Sequence, residues 1–158
     1  MKSHCIKFQK ILAVLLAILA LVGGLFGLCR AVASARAYDI APLTDERLAE
    51  LDLTGITHLM IVAHPDDETL WGGAHIADGG YLVVCITNGY NATRSAEFQA
   101  VMQASNNVGL ILSYPDKVAG KRDDWTHVRS QIQTDLEKVM TYQPWEDIVT
   151  HNAKGEYG

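Results

Sequence analysis

Four short apolar runs, each followed by a helical pattern or by a polar turn, constrain this chain more than anything else in it. "HLMIVA" (58–63), "YLVVCIT" (81–87), "LILS" (110–113) and "DIVTHN" (147–152) read as strands. Their near-continuous hydrophobicity suits strands covered on both faces rather than on one. Between the first two lies "ETLWGGAHIADGG" (68–80), read as a short helix ended by glycines. "RSAEFQAVMQASNNVG" (94–109) reads as a second helix, with Ala96, Phe98, Val101, Met102 and Val108 tracing an apolar stripe. "WTHVRSQIQTDLEKVMTY" (125–142) reads as a third, with Val128, Ile132, Leu136 and Val139 on one face. "NGYN" reads as a turn and "YPDKVAGKRDD" as loop. Strands alternating with helices predict an α/β domain, a Rossmann-like parallel sheet with helices on both faces. In such sheets ligands bind beyond the carboxyl ends of the strands. His64 to Glu68 occupies one such end and "THNAKGEYG" (150–158) another.

Upstream the composition changes. Residues 1–37 hold five of the 13 Lys and Arg and none of the 18 Asp and Glu, so residues 38–158 carry a balance of −10. A body that acidic argues against nucleic acid as a partner, because phosphate binding needs the opposite sign. Residues 1–10 are basic, and residues 11–28, "ILAVLLAILALVGGLFGL", contain 18 residues without a charge. That length is at the lower end of the roughly 17–25 residues of a spanning helix and above the about 7–15 of a signal-peptide core. The segment therefore reads as a transmembrane signal-anchor. Lys2, Lys7 and Lys10 outnumber Arg30 and Arg36, which places the body outside the cytoplasm. The alternative is export after cleavage within "AVASARA" (31–37), near Ala35 or Ala37. Residues 29–55 read as a linker carrying a short helix that Thr44 caps and Gly55 stops. Cys5 and Cys29 flank the apolar segment and Cys85 lies within a strand, so the three make no disulfide framework.

The chemistry concentrates in "AHPDDE", Ala63 to Glu68. One acidic residue after a strand is explained by capping the next helix, where negative charge suits the dipole. Three beside an imidazole repel one another unless a cation or hydrogen bonds compensate. His64 and Asp67 are three apart across a tight turn and can both point inward, while Pro65 fixes its own φ and restricts His64. Asp66 and Asp67 then diverge, so that one ligates a metal and the other reaches a water on it. Spacing alone leaves open which aspartate does which. Neutral imidazole with carboxylate suits zinc, whose catalytic sites take three protein ligands and leave a place for water. A magnesium-dependent phosphatase is the alternative that an acidic cluster allows, but ligation that begins with histidine favours zinc. Nucleotide binding of the G-x-G-x-x-G kind is disfavoured, since the first strand leads into H-P-D-D-E instead.

At these residues the chain resembles the LmbE-like, or PIG-L-like, zinc-dependent N-deacetylases, which remove acetyl from N-acetylglucosamine-type substrates. Their signature is a strand ending in A-H-P-D-D-E, and the resemblance runs from about residue 57 to the C-terminus. It implies that His64 and Asp67 ligate zinc and that Asp66 is the general base. "TNGYNATRSAEF" (87–98) resembles the loop and helix start where the family places an arginine and a glutamate three apart, here Arg94 and Glu97. Arg94 and Asn88 are then expected to bind substrate, although an Arg–Glu pair equally serves a helix as plain stabilisation. In the family a G-x-Y-G stretch is followed by H-x-x-H. Tyr157 matches the tyrosine that polarises the substrate carbonyl, and the third zinc ligand is expected beyond Gly158. Residues 56–158 would thus be the N-terminal part of a deacetylase domain. His151 is expected to contact substrate or a ligand rather than the metal; His58, His75 and His127 are expected to be structural or solvated. The resemblance implies a zinc hydrolase of N-acetylated amino sugars, on a glycan or glycolipid, attached to the membrane through residues 11–28. A non-catalytic sugar-binding domain of the same fold is the alternative.

Overall fold

The computed structural model describes residues 16–27, 40–118, 120–152 and 154. The chain divides into two compact units, Met1–Ala37 and Tyr38–Gly158. Of the first, residues 16–27 are helical (α1), with Leu19 and Phe26 exposed. The apolar stretch 11–28 therefore lies partly outside the described residues, as do Cys5, Cys29, Ala35 and Ala37. Among the described residues no helix is long and apolar enough to cross a membrane.

The second unit is an α/β domain. Its elements run α2 (Asp45–Ala49), β1 (His58–Val62), α3 (Asp67–Leu70), α4 (Gly73–Ile76), β2 (Tyr81–Thr87), α5 (Ala92–Ala104), β3 (Val108–Tyr114), β4 (Lys117–Val118), β5 (Lys121–Arg122), α6 (Arg129–Met140) and β6 (Asp147–Thr150). Four strands form one sheet in the order β3-β2-β1-β6, and every pair is parallel. Alternate side chains of each strand serve opposite faces, as the pleat requires. Leu59, Ile61, Leu82 and Val84 pack with Leu48 of α2 and with Ile132 and Val139 of α6. Met60, Val62, Val83 and Cys85 pack with Ile76 of α4 and with Phe98 and Met102 of α5. Both faces of β1, β2 and β3 are covered, which is why these strands read as continuous apolar runs, whereas the edge strand β6, expected to be covered as well, leaves Ile148 exposed.

The chain builds outward from β1 to β2 and β3, then returns to lay β6 on the other side of β1. That reversal opens a crevice between the carboxyl ends of β1 and β6. At their opposite ends His58 joins the same two strands: its Nδ1 lies 3.0 Å from Asp147 Oδ1, and its ring stacks on Tyr81 at 4.9 Å.

Several boundaries differ from the sequence reading, each for a local reason. The single helix expected over 68–80 is two, broken at Gly72. A Cβ there would stand 2.6 Å from Met60 Cε and 2.9 Å from the Glu68 carbonyl, so the chain passes too close for another residue. α5 begins at Ala92 because the Asn91 side chain accepts the Thr93 and Arg94 N–H groups at 3.1 and 3.2 Å. It ends at Ala104, and Asn106 turns the chain with φ 54°. Val108 consequently belongs to β3 rather than to the helical stripe, and Ala96 is exposed. The expected loop after β3 contains the antiparallel β4–β5 hairpin, turned through Gly120 at φ 81°. α6 starts at Arg129, four residues later than expected, after Trp125 adopts φ 57°.

A polar residue hidden in the apolar face of α6 ties the linker to the sheet. Asp135, 1% exposed, accepts the Leu43 N–H at 3.1 Å and the Tyr114 O–H at 2.6 Å. Replacing it by alanine leaves two buried donors without acceptors, where hydrogen bonds to a charged group contribute about 1.5–3 kcal/mol each. Asp135→Ala should lower the unfolding free energy by roughly 3 kcal/mol or more, and Asp135→Asn by about half that. Urea denaturation of the two variants checks the order, and equal losses would contradict it.

Candidate metal centre

The carboxyl ends of three of the four sheet strands contribute to one cavity of about 430 Å³. β1 delivers His64, Asp66 and Asp67, β2 delivers Asn88, and β3 delivers Asp116; Arg94 enters from α5. Five of the six site residues expected from the sequence thus share one space. The sixth, Tyr157, lies outside the described residues.

The three carboxylates of "AHPDDE" have three different surroundings. Glu68, 1% exposed, turns back under the turn, where its Oε2 accepts the Asp66 N–H at 3.0 Å and its Oε1 the Thr69 hydroxyl at 3.1 Å. It performs the capping that one acidic residue was expected to perform. Asp66 stands at the N-cap position of α3, yet its side chain caps nothing. Its Oδ2 instead receives Arg94 Nη2 at 3.0 Å. Arg94 also donates to the Pro65 carbonyl and, through Nη1, to Glu97 at 2.9 Å, so the turn and α5 are clamped together. Asp66 has φ 140° and ψ −22°, a conformation that a residue with a Cβ adopts only under compulsion. Strain of this kind costs about 1–3 kcal/mol and clusters at functional sites.

Asp67 is the buried member, 1% exposed. Its Oδ2 accepts the His64 backbone N–H at 2.8 Å and lies 3.4 Å from His64 Nδ1 and 3.1 Å from His151 Nε2. His151 follows β6, so the contact bridges the crevice where the strand order reverses. His64 Nε2 faces Asp116 Oδ1 at 3.4 Å. Below the turn, Thr87 Oγ1 donates to the Ala63 carbonyl at 2.8 Å and accepts from Asn88 Nδ2 at 2.9 Å, which seats the β1 end on β2. Asn88 takes φ 69° as the chain leaves β2.

Two of these donors are spaced as neighbouring ligands of a small divalent cation would be. Zinc with bonds of about 2.0–2.1 Å to nitrogen and oxygen sets neighbouring ligand atoms roughly 3.3 Å apart in a tetrahedron. His64 Nδ1 and Asp67 Oδ2, 3.4 Å apart, match that edge. Cys85, directly beneath, is no competitor: burial pushes its thiol up to about 12, and its Sγ points at the Ala63 and Thr87 carbonyls. Among the described residues, one group of three has ligand atoms all within 4.8 Å, namely Asp123, Asp124 and His127, outside this cavity. Turn geometry accounts for its carboxylates, since Asp123 accepts the Trp125 N–H at 2.7 Å and Asp124 the Thr126 N–H at 3.0 Å just before α6.

Asp116 was missed by the sequence reading, although the rule that singled out His64 applies equally to the end of β3. The division of labour among the three carboxylates was not readable, because it depends on which residue takes the strained φ.

No family model and no solved structure matches the chain. It is 30% identical to an uncharacterized protein of Acanthamoeba polyphaga mimivirus, over an alignment covering 63% of this chain and 50% of that protein. The chain thus spans about half the length of the relative it matches.

The pair His64–Asp67 sets a pH dependence. The hydrogen bond to Asp67 pushes the His64 imidazolium up from its ordinary value; burial opposes this, and the charges of Asp67 and Asp116 add to it. Burial pulls the Asp67 carboxyl upward, but hydrogen bonds from the His64 ring and backbone, with the nearby His64 and His151, hold it below the usual range. A depressed carboxyl contributes stability above about pH 4 that is lost as pH falls through its folded value; a raised imidazole contributes below about pH 6.5 and loses this as pH rises through its folded value. The metal-free protein should gain most from this pair between about pH 4 and 6.5. Thermal unfolding in chelator across pH 4.5–8 should show a decline on the alkaline side that His64→Ala removes. An unchanged profile in the variant would contradict the assignment.

Proposed function

We propose that this chain carries the metal-binding part of a zinc-dependent amide hydrolase, of the LmbE-like or PIG-L-like kind, that removes acetyl from an N-acetylated amino sugar. The observation that carries the reading is the pairing of the buried Asp67 with His64 at the carboxyl end of β1, at the distance two zinc ligands keep. Zinc held there would supply Lewis acidity and make its water a nucleophile at neutral pH. Asp66 takes the proton of the water that attacks the acetyl carbonyl. Arg94 occupies one oxygen of that carboxylate and leaves the other for the proton. The strained backbone keeps Asp66 turned away from Asp67, so the base does not collapse onto the ligand. Asn88 and the outer face of Arg94, both lining the cavity, bind sugar hydroxyls. Tyr157 stabilises the oxyanion, and the proton that Asp66 took passes to the nitrogen as the C–N bond breaks and amine and acetate leave. The uncharged residues 11–28 attach the domain to a membrane or export it, which suits a glycan or glycolipid substrate.

A second reading, a non-catalytic sugar-binding domain, draws on the fact that among the described residues no third ligand atom joins His64 and Asp67 within 4.8 Å. One experiment separates the two. Zinc-loaded protein is incubated with N-acetylglucosamine-bearing glycolipid and acetate release is measured, for the wild type and for Asp66→Asn. Hydrolysis predicts release that a chelator abolishes and that the variant lowers by about 10²–10⁴-fold at unchanged zinc content. Release insensitive to chelator and to the substitution would overturn the mechanism, and sugar binding without release selects the second reading.

A further inference from the structure

Two imidazoles flank the Asp67 carboxylate, and they do so in different ways. His64 Nδ1 lies 3.4 Å from Oδ2 and His151 Nε2 lies 3.1 Å from it, but the two ring nitrogens are more than 4.8 Å from each other. Ligand atoms on one zinc ion lie within about 4 Å of one another even when they face each other across it. An ion bound to His64 and Asp67 therefore leaves His151 out of its coordination shell.

His151 Nε2 faces two partners, the Ala63 N–H at 3.3 Å and Asp67 Oδ2 at 3.1 Å. One is a donor and the other an acceptor, so the tautomer decides which contact is a bond. A hydrogen bond to a carboxylate is charge-assisted, shorter and about twice as strong as a neutral one. The contact to Asp67 is the shorter and the charge-assisted one, which favours hydrogen on Nε2 at the expense of the bond from the Ala63 N–H. Oδ2 then accepts two N–H groups, one from the backbone of His64 at the end of β1 and one from the ring that follows β6.

We propose that His151 is a positioning residue for the metal centre: its Nε2–H anchors the Asp67 carboxylate across the β1–β6 crevice and so holds it beside His64 Nδ1. The inference rests on the zinc reading of His64 and Asp67. It assigns the anchor to a strand other than the one that carries the ligands, so the geometry of the centre depends on β6 pairing with β1 in register, Ile61 opposite Thr150.

The test measures zinc affinity by competition with a chromophoric chelator, together with the visible spectrum of the cobalt-substituted protein. His64→Ala, which removes a ligand, should weaken zinc by more than about 100-fold. His151→Ala should weaken it by about 10–100-fold, and His151→Gln, whose amide N–H replaces the donor, should bind within about threefold of wild type. Cobalt band positions should stay those of the wild type in His151→Gln, because the coordination shell is unchanged. Wild-type affinity in His151→Ala would overturn the positioning role. Weak binding by both His151 variants with shifted cobalt bands would overturn it as well, making His151 a ligand. In both cases loss of binding in His64→Ala leaves the zinc reading standing. Equal affinity of the wild type and His64→Ala, or no uptake by either, would remove the zinc reading and this inference with it.

Discussion

A carboxylate buried at the seam between two parallel strands sets the terms for everything around it. Asp67 is 1% exposed, and an ionised carboxylate taken out of water costs several kcal/mol unless charge and hydrogen bonds offset it. The fold surrounds it with the His64 N–H, the His64 ring and His151, the last brought from β6. His151 would not be within reach if β6 did not pair with β1, and β6 lies there because the strand order reverses at that point. The strain at Asp66 has the same origin. To bury Asp67 in the first turn of α3 immediately after Pro65, the chain must take φ 140° at the residue between them, and Glu68 and Arg94 hold it in that state.

The fold was legible where burial dictated residue type. β1 and β2 needed apolar side chains on both faces, and the runs 58–62 and 81–87 appear at once in the sequence. Legibility failed where a boundary rests on one close approach or one side-chain bond. Gly72 divides a helix because Met60 lies against it, and Asn91 starts α5 two residues early by capping it. Asn91 read only as the end of a turn, and its side chain also caps α5. The β4–β5 hairpin escaped notice because pairs of two residues carry no periodicity.

The site divided along similar lines. His64, Asp66, Asp67, Asn88 and Arg94 were named from the sequence, and one cavity collects them. Contacts that join residues distant in sequence were not readable, because only topology makes them: His151 with Asp67, Asp116 with His64, Arg94 with Asp66. The Arg94–Glu97 pair shows both readings of such a motif at once. The two residues pair along the helix, and the same guanidinium reaches back to fix the turn that carries the metal candidates.

The most direct measurement of the central claim is anomalous diffraction at the zinc absorption edge from crystals grown with zinc. The account predicts an ion at the carboxyl end of β1, between His64 Nδ1 and the Asp67 carboxylate, with bonds of about 2.0–2.2 Å. An ion found instead on Asp123, Asp124 and His127, with the β1 crevice holding none, would contradict it.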